Sequence, residues 1–204
     1  MEINHPKNIH LYILLLTALV FVWSAFRPAD YFTWVLEVSP AVLPILILML
    51  TYKRFQFTTL SYSLFSIVFI LMFIGGHYTY DDVPLFERIQ NTFHLKRNDY
   101  DRFGHFFKGL TIIPVREVLL RLAGLPRRFW LIFLSLSIIL SLAAGYEIIE
   151  WLVAKMEGHS AKDFLGIQGD IWDSQWDMSL AFVGSIIGYL LLYRLHDQQL
   201  EKLR

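Results

Sequence analysis

Long, largely apolar blocks at 11–26, 32–50, 57–76, 129–154 and 178–195 leave this chain few architectures to choose from. Each is close to the roughly 20 residues an α-helix needs to cross the hydrocarbon of a bilayer. Lipid offers no partner to backbone N–H and C=O groups, so apolar blocks of this length cross as helices. Bulk composition decides less. The chain is 55% apolar, not far above an ordinary soluble domain, and the grouping into blocks makes the difference. The expected fold is all-α, a polytopic membrane helix bundle, with 1–204 forming a single integral membrane domain.

A further crossing is expected in 99–124, giving about six transmembrane helices. Its apolar core, 106–115, is short, and Arg116, Glu117 and Arg121 follow it. On length it reads as a span packed inside the bundle or as a re-entrant helix. Pro114 is expected to kink it. The first block is expected to be an uncleaved span, because Ser24-Ala25-Phe26-Arg27-Pro28 lacks a small-x-small cleavage signal.

Six crossings gather both termini, the Lys53-Arg54 turn and the 116–128 connection on one side. That side carries Lys7, Arg116, Arg121, Arg127, Arg128, Arg194, Lys202 and Arg204 as well. On the opposite side Arg27, Arg88, Lys96, Arg97, Arg102, Lys155 and Lys162 are mixed with many acids. The positive-inside rule therefore predicts that both termini are cytoplasmic. Trp23, Trp34, Trp151, Trp172 and Trp176 fall at the outer interface and Trp130 at the inner one, as aromatic belts do. The scattered bases form no nucleic-acid surface. With no cysteine, disulfides and thiolate ligands are excluded.

The same alternation brings chemistry together. His77, Asp81 and Asp82 follow span three, Asp101 and His105 open span four, Glu147 and Glu150 close span five, and Asp177 opens span six. Glu37, beside Pro40 and Pro44, joins that end. Asp101 and His105 stand at i, i+4, Glu147 and Glu150 at i, i+3, and Asp170, Asp173 and Asp177 at i, i+3, i+7. Each set shares one helix face. Ionisable groups at this depth are costly and point to function.

Metal ligation or proton transfer is one reading of Asp101, His105, Glu147 and Glu150, and these four are the candidate catalytic groups. Together with Asp173 and Asp177 they form a candidate ligand set for Mg²⁺, Mn²⁺ or Ca²⁺. Arg102 and Lys108 are candidates to neutralise an anionic ligand, and His77 a candidate ligand-binding residue in the loop after span three. The structural reading is that these acids cap helices and pair with bases. Gly184 and Gly188 suit close helix packing. Arg116, Glu117 and Arg121 read as a salt-bridged cytoplasmic end.

The stretches 75–80, 100–106, 146–151 and 169–178 resemble the YjdF-like family of bacterial inner-membrane proteins over nearly the whole chain. That resemblance implies an inner-membrane location and no particular activity. In the last hundred or so residues, Asp101-Arg102-x-x-His105-Phe106, Glu147-x-x-Glu150 and Asp173-x-x-x-Asp177 resemble motifs of VanZ-like membrane proteins, which are associated with glycopeptide resistance and cell-surface polymers. Here acids stand where that pattern carries two amides, which favours a cation. The resulting expectation is a periplasm-side acidic/His pocket that binds a divalent cation. An envelope lipid or lipid-linked head group would be its partner besides the bilayer itself. The rivals are proton- or cation-coupled transport, with Glu147, Glu150 and His105 as a relay, and a non-catalytic scaffold.

Overall fold

The computed structural model describes residues 5–157, 168 and 170–203. Lys162, Gly169 and Arg204 lie outside the described residues. Among the described residues the secondary structure is helical throughout, in the order α1 (His5–Ser24), α2 (Tyr31–Thr51), α3 (Thr59–His77), α4 (Pro84–Phe93), α5 (Tyr100–Gly109), α6 (Ile112–Arg121), α7 (Phe129–Glu157) and α8 (Asp173–Glu201). Four of these, α2, α3, α7 and α8, are long and apolar enough to cross a membrane, and α1 adds a shorter apolar stretch, Asn8–Ser24. Their exposed faces carry residues such as Leu19, Val22, Leu50, Leu142, Leu190 and Leu191. Those faces suit lipid.

Helix starts follow local chemistry. Asp30 accepts a hydrogen bond from Thr33 N at 2.7 Å and caps α2. The same bond holds the exposed Asp30 carboxyl below its ordinary range. Thr58 Oγ1 accepts from Ser61 N at 3.2 Å and caps α3. The short α4 begins on Pro84, whose missing N–H costs nothing there, and ends at His94 in a left-handed conformation, φ 52°.

The expected crossing in 99–124 is two short helices rather than one. The break falls at Leu110–Thr111, four residues before Pro114, where a proline ring would meet the Leu110 carbonyl of a continuous helix. Pro114 itself then sits in the first turn of α6, where an N–H has no intrahelical partner. The pair still runs the length of the bundle. Gly109 packs on Ala181 and Ser185, Gly188 lies against Leu110, and Arg116 reaches His196. Advancing along α5 and α6 thus means advancing along α8, so the broken pair travels beside that long helix from end to end.

The two ends of the bundle can be told apart by their contacts. At one, here called proximal, His10 of α1 bonds Tyr52 and Thr59, and Leu60 N donates to Gln199 Oε1 of α8 at 2.9 Å. Both the first and last described helices have an end there. At the other, distal, end Ala29 N donates to His77 O at 2.9 Å, and Trp34 Nε1 donates to Ser24 Oγ at 3.2 Å. Between them lie two apolar clusters. One joins Val38 and Ala41 of α2 to Val68, Phe69, Met72 and Phe73 of α3. The other joins Leu64, Ile112, Ile113 and Ile139 from α3, α6 and α7.

Close backbone approach fixes α5 against α8. A Cβ on Gly184 would collide with the Phe106 carbonyl, and one on Gly109 with the Ala181 carbonyl. In lipid, helices gain little from burying apolar surface and much from such close packing. Gly104, in the same helix α5, has open space where its Cβ would be. In detergent, Gly109→Ala and Gly184→Ala are each expected to lower the melting temperature, with overpacking costing about 1–3 kcal/mol. Gly104→Ala is expected to be neutral or to raise it, through a helix-propensity gain of up to about 1 kcal/mol. Equal melting of all three variants would contradict this packing.

Candidate functional site

At the distal end α5, α7 and α8 present acids and one imidazole to each other. Asp101 and His105 lie one turn apart on α5, with His105 Nε2 3.5 Å from Asp101 Oδ1. The glycine contact between α5 and α8 sets the register that brings Asp177, two turns before Gly184, to the same place. One ligand atom from each of Asp101, His105 and Asp177 lies within 4.8 Å of the others. From α7, Glu147 Oε1 comes within 3.9 Å of His105 Nε2. Glu150, half-buried one turn on, is close enough to Glu37, Glu147 and Asp101 for their charges to interact. Glu37 of α2 is buried beneath, accepting from Tyr146 OH at 3.2 Å.

Two features separate this cluster from a set of caps and salt bridges. His105, Asp177 and Glu147 are only 1%, 2% and 8% exposed. Yet Asp177 Oδ1 and Glu147 Oε1 have no hydrogen-bond partner among the described residues. Buried carboxylate oxygens are normally satisfied. The second feature is Lys108. Its Nζ donates to His105 Nε2 at 2.8 Å and sits 4.4 Å over the Tyr146 ring, so an internal ammonium serves as a counter-charge inside the acid cluster.

Other predicted site residues have partners of their own. Asp173 is held by two guanidiniums, Arg97 in a bidentate contact and Arg102 at 3.4 Å. Arg102 also bonds Asp170 at 2.6 Å and lies 5.4 Å from the Trp176 ring, so its charge is matched within the chain. His77 is not part of the cluster. Its Nδ1 donates to the Ser24 carbonyl at 2.9 Å and its ring lies 4.5 Å from that of Trp23, tying α3 to the end of α1. Sequence reading did not single out Arg97 or Tyr146, whose partners are remote in the chain. Their signal is faint: an Arg three residues before a helix start, and a Tyr beside an acid pair.

Basic and acidic residues also meet at the proximal end, where Arg121 and Arg116 pair with Glu117 and Asp197 at 2.6 and 2.8 Å, the salt-bridged end expected from sequence. It is far more buried than a surface end, with Arg116, Glu117 and His196 at most 1% exposed. Glu117 is saturated by Thr58 N, Thr58 Oγ1, Ser61 Oγ, Arg121 and the His196 ring. Arg116 donates in turn to His196 Nδ1 at 2.7 Å. With its carboxylate fully occupied, this network has the form of a structural tie joining α3, α6 and α8.

Charges around the mouth of the distal site lie outside the spans. Burial opposes the charge on Arg97, but the Asp173 carboxylate outweighs it and raises the guanidinium pKa. Asp170 is held below its ordinary range by Trp172 N–H and by Arg102. Burial pushes Asp81 up to about 6, although a 2.7 Å bond from Gln168 Nε2 works the other way. Gln168 also bonds the Asn98 backbone, so it clamps the 78–83 loop to the start of α5. A carboxyl whose folded pKa exceeds its unfolded value favours folding when protonated. Its contribution is complete below about 4 and is lost as pH rises through about 6. Melting curves across that range are expected to show a loss with rising pH that Asp81→Asn flattens. An unchanged slope in the variant would assign the effect to other groups.

Comparisons with known proteins agree with a membrane protein. Residues 9–198 match a family model described as a predicted membrane protein, DUF2238. The chain is 38% identical over 185 residues to the inner membrane protein YjdF of Escherichia coli (strain K12), an alignment covering 90% of this chain and 88% of that relative. No solved structure matches. These comparisons do not show the resemblance to VanZ-like membrane proteins. With its apolar helices and a match across nearly its whole length, the chain belongs to the DUF2238 family of membrane proteins.

Proposed function

We propose that the distal cluster is a divalent-cation site on the periplasmic face of a bacterial inner-membrane protein. There it holds the anionic head group of an envelope lipid or lipid-linked carrier. Asp101, His105 and Asp177 are the first ligands and Glu147 completes the set. The observation that carries this reading is the pair of buried, unpartnered oxygens, Asp177 Oδ1 and Glu147 Oε1, beside three converging donors. Three donors within 4.8 Å of one another need only small side-chain shifts to reach a common ion at the roughly 2.0–2.6 Å usual for such ligands. Among Mg²⁺, Mn²⁺ and Ca²⁺, the mixed carboxylate–imidazole set suits Mn²⁺ best.

The orientation rests on charge. Exposed Lys53 and Arg54 lie at the proximal end, whereas the distal Arg97 and Arg102 are paired with Asp173 and Asp170. That asymmetry favours cytoplasmic termini. Apolar Leu64, Ile112, Ile113 and Ile139 separate the two polar ends, which supports a site open to one face over a relay through the bundle. Any chemistry at such a site belongs to metal-assisted hydrolysis or group transfer, with Glu150 beside the ligands as the acid–base group.

The test is titration of chelator-stripped, detergent-purified protein with MnCl₂, followed by calorimetry and Mn²⁺ paramagnetic resonance. One ion per chain is expected. Asp101→Asn and Asp177→Asn are each expected to weaken binding by about tenfold or more, a change of about 1.4 kcal/mol. Asp173→Asn, which touches a residue held by two guanidiniums, is expected to leave binding nearly unchanged. Absence of binding by the wild type, or normal binding by both of the first two variants, would overturn the assignment.

A further inference from the structure

A second site lies at the other end of the molecule. Helices α1 and α2 both pack along α3 and meet each other near their ends, through the Trp34–Ser24 bond distally and the His10–Tyr52 bond proximally. Between these ties a cleft of about 340 Å³ opens, floored by Phe65 and Phe69 of α3 and walled by Leu14, Ile45, Leu48 and Met49. The sequence of α2 accounts for part of this. Pro40 and Pro44 stand inside the helix, and each removes a backbone donor. The Leu36 carbonyl, which Pro40 cannot serve, takes a hydrogen bond from Ser39 Oγ at 3.2 Å instead. A helix loosened in this way bends at its prolines.

The cleft wall is dry by construction. Thr17 and Ser66 bond each other at 2.7 Å, with Thr17 also donating to Ile13 O. Both His10 ring nitrogens are engaged, by Tyr52 OH at 3.0 Å and Thr59 Oγ1 at 2.9 Å. With its polar groups turned onto protein partners, the wall offers a ligand contact without hydrogen bonds. Leu11 and Met49 on the rim are 52% and 53% exposed, so the opening lies on the lipid-facing surface of the bundle. Next to Tyr52, at the proximal mouth, come exposed Lys53 and Arg54. A long apolar slot ending in two exposed cations matches a hydrocarbon tail carrying an anionic head.

We propose that this cleft binds one acyl chain of an anionic phospholipid from the proximal leaflet, with the head group at Lys53 and Arg54 and the tail running toward Thr17. The site is independent of the distal cation cluster, since it shares neither residues nor elements' ends with it.

Native mass spectrometry of the full chain, released from detergent after addition of phosphatidylglycerol or phosphatidylcholine, tests the proposal. The wild type is expected to retain a single phosphatidylglycerol preferentially. Leu14→Trp or Ile45→Trp, which fill the slot, are expected to cut that retention by about tenfold while the melting temperature is unchanged. If either filled variant melts lower, Met49→Trp at the exposed rim replaces it. The exposed double variant Lys53→Gln with Arg54→Gln is expected to keep one lipid but lose the preference for the anionic head. Equal retention by wild type and filled variants overturns the site. A dimer that Leu14→Trp dissociates also overturns it, since the slot would then take a helix of a second copy.

Discussion

The contact on which both polar ends depend is the near-touching of backbones between α5–α6 and α8. Gly109, Gly184 and Gly188 let the two lie closer than any side chain would permit. In a bilayer that closeness is a main source of helix–helix affinity, because the tails around a helix are as apolar as its neighbours. Everything else about α8 is then a matter of register. Two turns before Gly184 comes Asp177, against His105. Two turns after Gly188 comes His196, against Arg116. A shift of one turn along this seam would separate both pairs at once, so one set of small residues positions the distal site and the proximal tie together.

The two polar clusters contain similar residue types and differ in how fully their carboxylates are satisfied. Around Glu117 each carboxylate oxygen has several donors, and the His196 ring is bonded on both nitrogens. Around His105 two buried acid oxygens lack a partner, and several carboxyls crowd a single ammonium. A buried unsatisfied polar group costs about 1–3 kcal/mol. Both oxygens of Glu117 are closed, whereas Glu147 and Asp177 each keep one buried oxygen without a hydrogen bond among the described residues. The contrast, rather than the mere presence of acids, is what supports the proposed binding at the distal end.

Much of this was legible in the sequence, for reasons that also explain what was not. Block lengths and the absence of lipid hydrogen-bonding partners dictated a helical membrane bundle, and alternation of crossings placed Asp101, His105, Glu147 and Asp177 at one end. The i, i+4 spacing of Asp101 and His105 specified their shared face. Pro114 signalled an interruption, but the break falls at Leu110–Thr111 because the ring's clash is with the carbonyl four residues earlier. Partner choice was hidden. Nothing local distinguishes Asp173, taken by Arg97 and Arg102, from Asp177, left open; the two differ by one helical turn and by what a remote loop brings to them. His77 looked like a loop ligand, yet the Ser24 carbonyl it bonds is 53 positions away. The cleft between α1, α2 and α3 had no sequence signature beyond two prolines, since it is formed by residues of three separate helices.

Lys108 gives the proposed cation site a particular character. Its ammonium occupies the acceptor nitrogen of His105, which a metal would need, so cation binding at this site is an exchange and not a simple addition. The incoming ion must neutralise the acids at least as well as the displaced ammonium did, which selects a divalent ion over a monovalent one. In the proposed exchange Lys108 would give up its bond to His105, with the Tyr146 ring, already 4.4 Å from Nζ, as a neighbouring partner. An anionic head group arriving at the bound ion would meet that freed ammonium as a second positive contact. On the proposed reading, cation and anion binding would be coupled through one side chain, and by linkage each would strengthen the other.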